Sequence, residues 1–114
     1  MSFTVKNDKR RKEEYYKDIA NLLKSVANET RLCVIRQLSQ SGELSVSELM
    51  ENMDCEQSLL SHHLADMRER GVLDCQRRGK NNYYSIKDIR VLKILKCIDN
   101  CGGNDILSNE ISIN

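Results

Sequence analysis

The sequence predicts a mainly α-helical domain with one small β-hairpin. Most of the chain repeats apolar residues at the spacing of an amphipathic helix, whereas residues 72–76 and 82–86 have the character of two short strands. The connection between these strands, residues 77–81, contains Gly and Asn, which tolerate the positive φ of a hairpin turn. The length of 114 residues leaves room for a single domain.

The first helix is predicted from Lys12. Its apolar stripe has the i, i+3, i+4, i+7 spacing and comprises Ile19, Leu22, Leu23 and Val26. Because the preceding residues are polar, we expect a flexible N-terminal arm at 1–11, followed by one domain at 12–101. Gly102-Gly103 should end the last helix, and residues 102–114 are predicted to form a loose tail.

Side chains that can cap a helix mark the starts of the next two helices. Asn28 can accept an orphan backbone N–H at the start of the second helix, which should stop before Ser41-Gly42. The inner face of that helix is predicted to be Leu32, Ile35 and Leu38. Ser45 and Glu48 have the spacing of a capping box, which predicts a short third helix.

A fourth helix is predicted from about Glu56 to Arg70, and Gly71 suits the left-handed position after it. Its buried stripe should be Leu60, Leu64 and Met67. Asp88 can cap a final helix, whose inward residues are predicted to be Val91, Leu92, Leu95 and Ile98. Four helices, a hairpin and a last helix describe a winged helix-turn-helix. The first and last helices carry more apolar surface than this small domain can cover, so we expect them to pair in a homodimer.

The composition excludes several classes of protein. Lys and Arg number 18 against 17 Asp and Glu, and the net charge of +1 excludes a polybasic, histone-like protein. No apolar run approaches the roughly 18 residues that cross a bilayer, and no secretory signal is recognisable, so we expect a cytoplasmic protein with no membrane partner. The five Cys are therefore expected to be free, metal-bound or redox-active.

The fourth helix carries small or planar polar groups on the side opposite its apolar stripe. They are Gln57, Ser58, Ser61 and His62. Gln can bond adenine through both its amide atoms in the major groove, and Ser and His can reach base edges or phosphates. From the spacing alone, an ordinary solvated helix face explains these residues equally well.

The predicted hairpin tip carries Arg77, Arg78 and Lys80, which fit contact with phosphate or the minor groove. Charged tips also serve solubility, but a basic tip that directly follows such a helix favours DNA binding. The segment from Glu43 to Asp54 holds four acids and no base, so we expect it to lie away from any phosphate.

Several motifs, taken in order, resemble the ArsR/SmtB family of bacterial winged-helix repressors. They are Asn28-Glu29-Thr30-Arg31-Leu32, Gly42 to Leu49, Gln57 to Leu64, Gly71-Val72-Leu73 and Arg77 to Ile86, within about residues 18–101. The resemblance implies a homodimer that binds an imperfect palindrome in operator DNA and leaves it when an inducer binds. It also places Gln57, Ser58, Ser61 and His62 on the recognition helix, and Arg78 and Lys80 on the wing.

The metal sites that the resemblance implies are not intact. Many family members bind soft metals through a Cys-x-Cys in the third helix, where this chain has Ser45 and Ser47. Others bind zinc through acidic and His ligands on the last helices, where this chain has Asp88, Arg90, Cys101 and Asn104. Because an Arg stays protonated and cannot ligate a metal, a zinc or nickel sensor of that kind is not expected.

Cysteine thiols are the remaining candidates for sensing an inducer. Cys97 and Cys101 are i, i+4 neighbours on one helix face, where they could hold a soft metal or metalloid ion or react as a redox pair. In thiol-based sensors of the family, a second-helix Cys pairs with a last-helix Cys, which makes Cys33 a third candidate. The alternative is that Cys33 and Cys97 are small buried apolar residues.

These patterns lead to one main hypothesis and two alternatives. The main hypothesis is a dimeric, sequence-specific DNA-binding repressor that is controlled through cysteine thiols. The alternatives are a repressor without a chemical inducer and a winged helix that docks a protein instead of DNA. No phosphate loop, carboxylate pair or triad-like arrangement predicts an enzyme.

Overall fold

A computed structural model describes the backbone of residues 2–103 and the side chains of residues 8–101. The elements in chain order are α1 (Ser2–Val26), α2 (Glu29–Ser41), β1 (Glu43–Ser45), α3 (Val46–Met50), α4 (Gln57–Glu69), β2 (Leu73–Arg78), β3 (Asn81–Ile86), α5 (Ile89–Ile98) and a π-helical turn (Asp99–Gly103). The order and the small antiparallel sheet confirm the predicted fold class, a mainly helical winged helix-turn-helix.

The predicted caps are present. The Asn28 side chain accepts hydrogen bonds from the backbone N–H groups of Thr30 and Arg31, at 2.9 and 3.2 Å. Ser45 and Glu48 form both bonds of the capping box at the start of α3. Asp88 caps α5 by accepting from the backbone N–H of Arg90 at 3.0 Å. These local bonds satisfy donors that the helix itself cannot.

Three strands make the sheet, in the order β1-β3-β2. Strands β2 and β3 extend further toward the tip than predicted, so a two-residue turn joins them, with Gly79 at φ +64°. β1 was not predicted: its three residues run antiparallel to β3, with Glu43 opposite Ser85 and Ser45 opposite Tyr83. It therefore brings the chain that precedes α3 alongside the hairpin.

The core lies between the helices and the inner face of the sheet. Leu60, Leu64 and Met67 of α4 have no exposed surface, as predicted. On α2 the buried positions are Val34, Ile35 and Leu38, whereas Leu32 is 44% exposed, so its predicted place on the inner face is wrong. Leu32 lies instead at a groove lined by side chains of α1 and α5, where the domain alone cannot cover it.

The first helix begins at Ser2, so most of the segment predicted as a flexible arm at 1–11 is helical. The run contains neither Gly nor Pro and is rich in Lys and Arg, which favour helix. Its side chains at 8–11 are exposed, and the domain boundaries at 11 and 101 stay predictions.

Helical structure continues to Gly103 through the π-helical turn, and residues 104–114 of the predicted tail lie outside the described residues. None of the described helices is both long and apolar enough to cross a membrane.

Candidate nucleic-acid interface

Helix α4 presents one face to the core and a polar face to solvent. Gln57, Ser58 and His62 are exposed and Ser61 is half-buried, on the side opposite the buried leucines. Among the described side chains none caps the first turn of α4, since Glu56 at the N-cap makes no such bond. The free N–H groups and the positive end of the helix dipole favour an anion at this end.

An apolar side chain that sequence reasoning missed stands on the same exposed face. Leu59 is 45% exposed, although a Leu at this position of the motif could equally well have been buried. Its methyl groups suit contact with the methyl group of thymine in the major groove. Only the rotation of α4 on the core, which is set by Leu60 and Leu64, decides that Leu59 faces outward.

Arg31 of α2 fixes α4 in place. Its Nε donates to His63 Nδ1 at 2.9 Å, and its Nη1 donates to the Ser25 carbonyl at 3.0 Å and pairs with Asp66 at 2.7 Å. Burial, the charge of Arg31 and then that of His62 lower the pKa of His63, and Asp66 opposes them in part. The imidazole is therefore neutral, and Nδ1 accepts. His63 therefore packs between α2 and α4 and accepts the hydrogen bond from Arg31.

Asp66 completes this link between α2 and α4. Burial raises the pKa of Asp66, but hydrogen bonds from Arg70 and Arg31 outweigh burial and hold the pKa below its usual value. The carboxylate is thus charged and bonded by two guanidinium groups, at 2.8 Å from Arg70. The local sequence does not predict this set of contacts, because Arg31 and His63 are 32 residues apart.

The hairpin carries the three predicted cations, all of them exposed. Arg77 and Arg78 are consecutive in β2 and therefore point to opposite faces of the hairpin. Arg78 forms an ion pair with Glu43 of β1, and its guanidinium lies over the Tyr83 ring at 4.2 Å from the centroid. Glu43 belongs to the acidic segment that is expected to lie away from any phosphate, but β1 pairs with β3 and places Glu43 beside the basic hairpin.

The five cysteines are free, and the structure brings two of the three candidates together. Cys97 and Cys101 are both exposed, and a hydrogen bond and the charge of Cys97 raise the pKa of Cys101. Cys33 is half-buried on α2, where its Sγ accepts from the Gln37 amide at 3.6 Å. Within the described part of the chain no three His, Cys, Asp or Glu side chains form a metal-binding group, so Cys33 does not join the pair.

The residues at the family's two metal positions do not fit a metal. The Ser45 hydroxyl is committed to the cap of α3, and Ser47 stands exposed on that helix. Arg90 is bound by Asp88 at 2.7 Å and by Asp18 of α1 at 2.7 Å, so a guanidinium already neutralises the acids there. The fourth position, Asn104, lies outside the described residues.

Comparison with known proteins agrees with this architecture. The family described as "Bacterial regulatory protein, arsR family" matches residues 28–74, from the Asn28 cap to the second residue of β2. An HTH-type transcriptional regulator of Methanocaldococcus jannaschii is 30% identical over 86 residues, which are 75% of this chain and 97% of the relative. The chain belongs to the ArsR family. This ArsR-family chain is a winged-helix, DNA-binding transcriptional repressor and not an enzyme, as the sequence predicted.

Other relatives of the ArsR-family chain carry more specific names. The arsenical resistance operon repressor of Escherichia coli is 42% identical over 65 residues, which are 57% of this chain and 56% of that protein. The solved structure of reduced HlyU from Vibrio cholerae has a TM-score of 0.73 and 29% identity, over 81% of this chain and 96% of that one. The structure of the AntR antimony-specific transcriptional repressor has a TM-score of 0.69 and 28% identity, over 87% and 84% of the two chains.

Proposed function

We propose that this protein is a cytoplasmic homodimeric repressor that binds a palindromic operator through α4 and the β2–β3 hairpin, and that a thiophilic species releases it by reacting at Cys97 and Cys101. The observation that carries the DNA-binding part is the exposed polar face of α4 beside a cationic hairpin. On that face Gln57, Ser58, Ser61 and His62 contact bases or phosphates, and Leu59 contacts a thymine methyl.

The dimer is supported by apolar surface that one domain leaves uncovered. Ile98 is 56% exposed and Leu32 44%, and both line one apolar groove formed by α1, α2 and α5. Leu23 and two tyrosines of α1, Tyr15 and Tyr16, are also exposed. Apolar side chains concentrated on the first and last helices favour a second copy of the chain as their cover. A two-fold dimer then presents α4 twice, about 34 Å apart, which is one turn of DNA.

The two adjacent thiols support a soft ion as the inducer. Both are exposed in the single domain, and together they supply two sulfur ligands of the kind that thiophilic metals and metalloids prefer. The related repressors of arsenical resistance and of antimony specificity support the same chemistry by similarity. Cys33 has no place in this site because it is held by Gln37 and is not grouped with the pair. Oxidation to a disulfide is the second candidate, since both thiols are free and exposed and lie four residues apart on one helix face.

Fluorescence anisotropy with DNA from the upstream region of the protein's own operon tests the DNA-binding part. Gln57→Ala should weaken specific binding by about 5–150-fold, the equivalent of about 1–3 kcal/mol for a paired base contact. Gln40→Ala, which removes an exposed Gln from the last turn of α2, is the matched control and should have no effect. Equal affinities of the two variants would contradict the assignment of α4 as the recognition helix.

The inducer is tested with the same DNA. Phenylarsine oxide or peroxide is added to the wild type and to a variant with Cys97→Ser and Cys101→Ser, and the adducts are read by mass spectrometry. We expect the arsenical to add to the wild type and release the DNA, while the variant stays bound. If only peroxide releases the wild-type protein from DNA, disulfide formation replaces the soft ion as the proposed signal. If neither agent releases the wild-type protein, the proposed sensing site is wrong.

A further inference from the structure

The end of α5 is bound to α2 by a two-pronged ion pair. Arg36 Nη1 donates to one carboxylate oxygen of Asp99 at 2.7 Å, and Nη2 donates to the other at 2.7 Å. Such fork-to-fork pairs fix the relative orientation of the two groups as well as their distance. Asp99 is mostly buried and Arg36 is about one-third exposed, so water competes only in part for these bonds.

Asp99 stands between the two thiols in the sequence. In a helix, residues two apart point to nearly opposite sides, whereas residues four apart share a face. Cys97 and Cys101 therefore face solvent while Asp99 faces α2, which agrees with their burial. Asp99 and Cys101 belong to the π-helical turn, a rare form of helix that is often found at functional positions. A bridge between the Cys97 and Cys101 thiols therefore spans this part of the helix, and Asp99 lies between the two bridged residues.

Arg36, the other member of this ion pair, lies on α2, the helix that contacts α4. Arg36 and Arg31 lie on the same 13-residue helix α2, which is anchored in the core by Val34, Ile35 and Leu38. Arg31 contacts His63 and Asp66 on α4. Since a packed helix moves as a rigid body, a displacement at Arg36 reaches α4 through Arg31.

We propose that the Arg36–Asp99 pair couples the thiol pair to the DNA-binding helix. With free thiols the pair is formed and α4 is held in the orientation that binds DNA. Bridging Cys97 and Cys101 moves the Asp99 carboxylate away from the Arg36 guanidinium and breaks their hydrogen bonds, and α2 and α4 then shift together. Arg36 and Asp99 are positioning residues here, since neither needs to touch DNA or inducer. This inference rests on the proposed thiol site.

The probe is phenylarsine oxide, whose reaction with two thiols involves no change of oxidation state. Each thiol gives up its proton, two As–S bonds replace the bonds between arsenic and oxygen, and one water molecule leaves. The mass of the adduct reports on the chemistry, and anisotropy with operator DNA reports on its consequence, so the two can be separated in each variant.

The variants are Asp99→Asn and Arg36→Gln. If the pair is the coupling element, each substitution lowers DNA affinity without the arsenical, and adduct formation then lowers it by less than about threefold further. In the wild type, adduct formation lowers affinity by about 5–150-fold, the usual range of coupling between sites. The control is Asp18→Asn, which breaks the ion pair between Asp18 and Arg90 and should respond like the wild type.

Exchange of the two charges keeps the test independent of folding defects. The double variant with Arg36→Asp and Asp99→Arg re-forms a pair in the opposite sense and should regain both the affinity and the response. If Asp99→Asn forms the adduct and loses affinity by the same factor as the wild type, the coupling role is wrong and the thiol site stands. If the wild-type adduct leaves DNA binding unchanged, the proposed inducer site is wrong, and the coupling falls with it.

Discussion

The β2–β3 hairpin offers a specific test because one of its cations, Arg78, already forms an ion pair within the protein. Arg78 is bonded to Glu43 and stacked on Tyr83, while Arg77 points to the other face of the hairpin. A phosphate that approaches this side meets a guanidinium together with a carboxylate, which largely cancel. Replacement of Glu43 by Gln removes the carboxylate and leaves the β1–β3 hydrogen bonds in place, since these use only backbone atoms.

The expected gain is modest, and it can be estimated from the exposure of the pair. Arg78 and Glu43 are about half and one-third exposed, so the pair itself contributes at most about 1 kcal/mol to folding stability. A charge about 6 Å from a phosphate interacts with it by about 0.7 kcal/mol in water. Glu43→Gln should therefore tighten DNA binding by roughly threefold. If the freed Arg78 gains a phosphate, the slope of log K against log salt also steepens by about 0.9.

Anisotropy titrations at several salt concentrations measure both quantities. Arg78→Gln is the paired variant and should bind more weakly than Glu43→Gln, because it leaves the carboxylate unneutralised beside the DNA. Glu14→Gln, an exposed Glu on α1, controls for the general loss of a negative charge. Weaker binding by Glu43→Gln would refute this reasoning, and it would show that the ion pair shapes the wing for DNA rather than competing with DNA.

Three other predictions concern α4 and its supports. Leu64→Ala, at a position with no exposed surface, should lower the free energy of unfolding by about 2–5 kcal/mol in urea titrations, whereas Leu59→Ala should cost far less stability and instead weaken DNA binding. Ser45→Ala should cost about 1 kcal/mol through loss of the capping box, and Ser47→Ala on the same short helix should be nearly neutral; equal losses would discount the cap. The pKa of His63 is lowered in the folded protein, so the unfolded chain binds more protons just below the ordinary His pKa of about 6.5. Stability should therefore fall as pH drops from about 6.5 toward the folded pKa of His63 and stay constant above about pH 6.5. His63→Asn should remove that slope in urea midpoints measured from pH 5 to 8.

Signals within a few residues predicted most of the helices and strands. The features that the sequence did not predict correctly, strand β1 and the exposure of Leu32, depend on contacts between residues far apart in the chain. Asn28, the Ser45–Glu48 box and Asp88 each carry their signal within four residues, and all three cap as expected. Strand β1 has no such signal, because its three residues are a strand only through their hydrogen bonds to β3. Leu32 fits the helical stripe as well as Val34 does, and only the placement of α1 and α5 decides which one is buried.

The same division holds for the candidate site. The positions of Gln57, Ser58, Ser61 and His62 on an exposed helix face follow from a period that also buries Leu60 and Leu64. The contacts of Arg31 with His63, of Arg78 with Glu43 and of Arg36 with Asp99 join residues 32, 35 and 63 positions apart. A single sequence contains many Arg and acidic residues, and nothing in their local surroundings indicates which of them will pair.

The presentation of α4 to DNA by two copies of the chain is tested most directly by hydroxyl-radical footprinting on the upstream DNA, together with light scattering of the complex. We predict two protein chains on each DNA and two protected segments related by symmetry, with centres about 34 Å apart or a multiple of that distance. A single protected segment bound by one chain would contradict the account.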